Sequence, residues 1–227
     1  MLTLTIKDIK KYVRDTFTDL MKEFSIEENK YTMAIPNITE FIDLKWRTLF
    51  QYSCETASEL NDCLTNSIVD DSFITSNCSH DNDGNIFFII ILPEAHLFEL
   101  LYRNLAAGDV SNSEVLKFLN MSLRHEIGHL MRAEREIKKY DSLEKFEYNE
   151  QMKYSQDYID YCEYGVDLQK SNLPFREFIK QTAIRYYKIT AEAEANEIAN
   201  VDVEELINNS FICWDRYKEM ETNHERV

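Results

Sequence analysis

Residues 111–140 read SNSEVLKFLNMSLRHEIGHLMRAEREIKKY, and the fold turns on whether they form one helix. Ser111 and Glu114 fit the S-x-x-E capping box, in which each side chain accepts from the other residue's backbone N–H, so a helix is expected to start there. Val115, Leu116, Leu119, Leu123, Ile127 and Leu130 then recur at helical spacing and mark a buried stripe. His125 and His129 are four residues apart, so both imidazoles leave the same side of the helix and can reach one metal ion. Glu126 sits beside the first histidine. It is placed to act on a water near that ion as a general base. Gly128 has no side chain and lets another segment pack closely against the helix.

Outward from this helix, periodicity assigns the rest. Leu4, Ile6, Ile9, Tyr12, Val13, Phe17, Leu20, Met21 and Phe24 predict an amphipathic helix over 4–24. KYTMAIP (30–36) predicts a short strand ended by Pro36, and 38–67 returns to a helical pattern. SFITSNCS and NIFFIIIL flank HDNDG and predict a β-hairpin over 72–92. Its second strand is apolar on both faces and belongs inside a sheet or beneath helices. Pro93-Glu94 starts a helix that Gly108 stops. Polar helical segments fill 143–170, Pro174 starts another helix through Tyr187, and 189–209 is rich in helix formers. The expected class is α+β, mostly helical. The expected organisation is one unit over 1–227, with 1–70 a helical N-terminal elaboration and 72–209 the catalytic core.

Composition agrees and narrows the function. Four Gly and three Pro among 227 residues argue for long helices and against a β-sandwich, which needs many turn residues. The net charge of −16 repels phosphate backbones, so no nucleic-acid partner is expected. Cys54, Cys63, Cys78, Cys162 and Cys213 form no C-x-x-C pair, which predicts reduced thiols rather than a disulfide framework. The longest apolar run, IFFIIIL, is too short to cross a bilayer, and no export signal opens the chain, so a cytoplasmic protein with no membrane partner is expected.

Two histidines leave a metal short of ligands. The spacing H-x-x-G-x-x-H that would supply a third histidine downstream is broken by Arg132 and Arg135. His80, His96 and His224 read as surface residues. A carboxylate is the better candidate, and TAEAEANEIAN (190–200) offers Glu192 and Glu194 among alanines that permit close helix approach. Glu192 and Asn196 are one turn apart, so Asn196 can support a ligating histidine by a hydrogen bond. The bland alternatives are a surface histidine pair and a solvent-facing Glu/Ala helix.

HEIGH followed by EAEANEIA resembles the gluzincin zinc metallopeptidases, and the second motif is similar to that of the ImmA/IrrE-type peptidases and the CAAX prenyl-protease group. The resemblance covers the two motif helices and reaches toward the hairpin. It implies zinc held by His125, His129 and Glu192, with Glu126 as the catalytic base, Asn196 as the supporting partner and Glu194 as the fallback ligand. It also implies hydrolysis of a peptide or protein substrate by a metal-activated water, the substrate pairing with a sheet edge. Arg185, Tyr186 and Tyr187 are candidates to stabilise an oxyanion. The size, the missing export signal and the Asn/Ile/Lys/Tyr-rich composition resemble phage-encoded peptidases, which places the chain in a host cytoplasm or a virion. The alternative is a zinc-binding structural or interaction protein of the same fold, a virion or cargo component without turnover.

Overall fold

The computed structural model describes residues 3–27, 29–37, 74–80, 85–107 and 111–208. In chain order these give α1 (Ile6–Glu23), β1 (Tyr31–Ala34), β2 (Thr75–His80), β3 (Ile86–Ile91), α2 (Glu94–Ala107), α3 (Asn112–Tyr140), α4 (Leu143–Gln169), α5 (Phe175–Tyr186) and α6 (Thr190–Ala199), with a further helical turn opening at residue 203. The class is α+β, mostly helical with a small sheet, as the periodicity predicts. The helix expected over 38–67, the hairpin turn at 81–84 and the stop at Gly108 lie outside the described residues.

The sheet has the order β1-β3-β2. The apolar strand is central, and its neighbours pair with it in opposite senses: β1 runs parallel, with Tyr31 opposite Phe88, and β2 antiparallel, with Ser76 opposite Ile90. A strand apolar on both faces needs cover on both edges and faces, which explains its place. The more polar β2 is left at an edge, and that edge turns out to border the site.

Helix α3 is the rod on which everything else rests. The capping box of Ser111 and Glu114 is formed, and Val115, Leu119, Leu123, Ile127, Leu130 and Ile137 are buried along one stripe. They meet Ile9, Val13, Leu20 and Met21 of α1 together with Phe88 and Ile90 of β3. Each such side chain contributes about 1.5–3 kcal/mol through its removal from water. A second capping box, between Thr5 and Asp8, starts α1.

Residues 189–209 do not form one continuous helix. Asn200 takes a left-handed conformation, φ 52°, and Val201 N–H donates back to the Asn196 carbonyl at 2.9 Å. Asparagine tolerates that conformation and closes a helix much as glycine does. The chain restarts at Asp202, whose carboxylate accepts from Glu205 N–H at 3.0 Å. The break leaves α6 a short helix of ten residues, five of them buried: Ala191, Glu192, Ala195, Asn196 and Ala199.

Candidate metal centre

The centre lies where α6 crosses α3, and small residues set the distance between them. A Cβ built on Gly128 would lie 2.2 Å from the Ala195 carbonyl oxygen and 3.0 Å from the Ala199 Cβ. Only glycine fits at this crossing. Ala191, Ala195 and Ala199 form the buried ridge that meets it. The expectation that Gly128 and the alanines mark a close helix contact is met, atom against atom.

That contact brings three donors from two helices together. His125 Nε2 and His129 Nε2 are 3.1 Å apart. Glu192 Oε2 lies 3.1 Å from the first and 3.2 Å from the second. A tetrahedral ion with N and O donors at about 2.0–2.1 Å places those donors about 3.3–3.4 Å from one another. The three atoms therefore form a nearly equilateral triangle of close to the right edge. Two nitrogens and a carboxylate oxygen also suit a borderline divalent metal. This group could hold a metal ion. Among the described residues no other histidine, His96 included, belongs to such a donor group.

The hydrogen bonds behind the triangle fix its chemistry. Asn196 Nδ2 donates to the Glu192 carbonyl one turn back at 2.8 Å, which orients the amide. Its Oδ1 therefore faces His125 Nδ1, at 2.8 Å, and must accept. His125 then carries its proton on Nδ1 and keeps the Nε2 lone pair for the centre. Burial works to discharge His125, but Glu192 and Glu126 outweigh it and hold its pKa above the ordinary imidazole value. Burial likewise pushes the Glu192 carboxyl up, and hydrogen bonds and charge from the two histidines reverse this, bringing it down to about 2. Its second oxygen, Oε1, accepts from the Tyr186 hydroxyl at 3.0 Å.

Glu126 is buried beside the triangle on the side of the sheet. Burial raises its pKa, against the pull of His125 and His129 and of a hydrogen bond from Ser76 of β2. Ser76 of the strand edge and Glu126 line the same cleft. A cleft of about 490 Å³ opens here, floored by His125, Glu126 and His129. Residues 74–78 form one wall, and Phe146, Glu147, Glu150 and Tyr154 of α4 form the other.

Glu194, two residues from Glu192, leaves the helix on another face. It accepts from Arg132 Nε at 2.6 Å and lies 3.5 Å from Lys153 Nζ. Burial raises its pKa and those two cations lower it below the usual range. Arg132 is buried and also grips Glu150 through both terminal nitrogens, at 2.6 and 3.0 Å. The residue that breaks the three-histidine spacing thus ties α3, α4 and α6 together. Of the three oxyanion candidates, Tyr186 spends its hydroxyl on Glu192, and the Tyr187 ring stands edge-on to His125 at 5.5 Å. Arg185 lies over the Tyr164 ring at 5.9 Å. Ser76 carries no signal in the sequence; only the strand register brings it to Glu126. His224 and the His80 side chain lie outside the described residues.

Fold and site together define an α+β, mostly helical protein with a two-histidine, one-glutamate centre that could hold a metal ion. No family model, curated protein or solved structure matches the chain. Among the described residues no helix is long and apolar enough to cross a membrane.

Proposed function

We propose that this protein is a zinc-dependent metallopeptidase of the gluzincin type, with His125, His129 and Glu192 as the zinc ligands and Glu126 as general base. The observation that carries the reading is the donor triangle of 3.1, 3.1 and 3.2 Å with a buried carboxylate beside it, opening on one cleft. Zinc, when bound there, makes a water acidic enough to lose its proton near neutral pH and polarises a carbonyl. The chain's own residues supply the rest. Asn196 holds His125 in the tautomer whose Nε2 is free to ligate, and Tyr186 holds the Glu192 carboxylate in place. Glu126 accepts the proton of the attacking water and returns it to the leaving amine. Ser76, which lines the same cleft, helps keep Glu126 ionised for that transfer.

The substrate is an extended peptide. Among the described residues, 75–78 belong to the edge strand bordering the cleft, and such an edge offers backbone groups to a chain laid alongside.

The test has two parts. Purified protein binds one zinc per chain, measured by elemental analysis, and His125→Ala loses it. Wild type cleaves a denatured protein, whereas Glu126→Gln retains zinc and loses cleavage by at least about a hundredfold, the usual worth of a general base. Zinc binding without cleavage of any denatured or basic protein would favour a metal-holding interaction protein. A Glu126→Gln variant with full activity would remove Glu126 from the mechanism.

A further inference from the structure

Helix α4 is a two-faced element, and among the described residues only one face is used. Phe146, Glu150, Tyr154, Asp157, Tyr161 and Tyr164 recur every three or four residues and turn toward the cleft and the neighbouring helices. Phe146 and Glu150 line the cleft, Asp157 accepts from the Thr190 N–H at 3.0 Å, and Tyr161 packs on Tyr186. On the opposite face Tyr148, Met152, Ser155, Ile159, Cys162 and Val166 follow a strict alternation of four and three residues, a heptad seam. Its large members are open to solvent: Tyr148 at 63%, Met152 at 60%, Ile159 at 49% and Val166 at 53%. Only Leu143 and Phe146 of this 27-residue helix are buried.

We propose that this seam is an antiparallel coiled-coil interface with a second copy of the same chain. Self-complementarity singles out that occupant. When two copies of α4 cross head to tail about Asp157, every seam position meets a partner: Tyr148 faces Val166, Met152 faces Cys162 and Ser155 faces Ile159. Each layer joins a larger side chain to a smaller one, as knobs-into-holes packing requires. Charge agrees. A chain of net charge −16 repels its own copies, yet the positions flanking the seam are Asn149, Gln151, Gln156, Tyr158, Glu163 and Gly165. The one acid, Glu163, comes opposite Asn149.

Gly165 is a second, independent sign. A glycine inside a helix costs about 1 kcal/mol relative to alanine. Unlike Gly128, it serves no close contact among the described residues, since an added Cβ would meet none of them within 4 Å. Beside the seam it lets a facing helix come close. The pairing joins the walls of two clefts back to back and braces α4 along about 27 Å of its length.

Sedimentation equilibrium on the full chain tests the association. Wild type is expected as a dimer of 26.9 kDa protomers in the micromolar range, and Ile159→Glu as a monomer with unchanged circular dichroism. A wild type that stays monomeric throughout that range overturns the proposal, as does a dimer that survives both Ile159→Glu and Met152→Glu. The register is read by oxidation in a background where the four other cysteines are serine. Head-to-tail pairing places Cys162 about 15 Å along the axis from its copy, so Cys162 alone does not crosslink. Adding Met152→Cys then yields a disulfide-linked dimer. Crosslinking through Cys162 alone means parallel pairing and overturns the antiparallel arrangement. None of these outcomes depends on zinc or on catalysis.

Discussion

Helices α6 and α4 both flank α3, and different physics holds each of them there. At α6 the contact is made of absent side chains: Gly128 faces the Ala195 carbonyl so closely that no other residue fits. The spacing is set by backbone against backbone, which yields little, so the Glu192 oxygen stays in register with two imidazoles. At α4 the contact is made of long side chains, Arg132 reaching to Glu150 and Tyr154. Such a contact tolerates a gap, and the gap is the cleft. The lesson is one of division: the crossing that needs ångström accuracy is built from glycine and alanine, while the wall that must leave room is held at arm's length.

The largest effect is expected at the triangle. Glu192→Ala should weaken zinc binding by more than about a hundredfold, beyond the 10–100-fold typical of a supporting residue. Glu194→Ala should leave zinc affinity unchanged, because Arg132 keeps both bonds to Glu150. Competition with a chromophoric chelator measures both; the reverse result would move the ligand to the α4 side of the helix and dissolve the contrast.

Gly128→Ala comes next. Its methyl meets a backbone oxygen, so α6 must shift, and overpacking of this kind costs about 3 kcal/mol in denaturant unfolding. Zinc stoichiometry should fall with it. Gly165→Ala, on the open side of α4, should instead raise the stability of the isolated monomer slightly, by up to about 1 kcal/mol.

Asn196→Ala should cost about 10–100-fold in zinc affinity, since His125 is then free to place its proton on Nε2. Stability should fall only modestly, which chemical denaturation can separate from the metal effect.

The smallest effect concerns acid stability without metal. The Glu192 carboxyl titrates at about 2 in the folded chain and near 4.5 in the unfolded one. A depressed folded value contributes stability above the unfolded pKa, and this is lost as pH falls from about 4.5 toward 2. The contribution is on the order of 2 kcal/mol, and the difference between wild type and Glu192→Gln across that range isolates it. A difference that stays flat with pH would mean that the carboxylate is not held by the histidines in the apoprotein.

Much of this was legible in order of residue spacing. Helical and strand periods place α1, α3 and the β2–β3 pair, because burial on one face writes itself into the sequence at intervals of 3.6 or 2. HEIGH places two donors on one side of α3 for the same reason. The 62 residues between His129 and Glu192 carry no such periodic link, so Glu192 and Glu194 both stood as candidates until helix rotation in the packed chain separated them. Ser76 and the Arg132 network were invisible for that reason as well, and Tyr186, singled out as an oxyanion candidate, donates to Glu192 instead.

The sequence by itself determined that α1 and α3 are helices, which side of α3 bears the imidazoles, and that Gly128 awaits a close neighbour. These follow from local stereochemistry, which extends only a turn or two along the chain. The tertiary structure decided which carboxylate meets the histidines, which strand edge reaches Glu126, and which face of α4 stays outside. Each of those depends on the rotation and distance of one packed element against another, and those are set by the fit of whole surfaces rather than by any single stretch of residues.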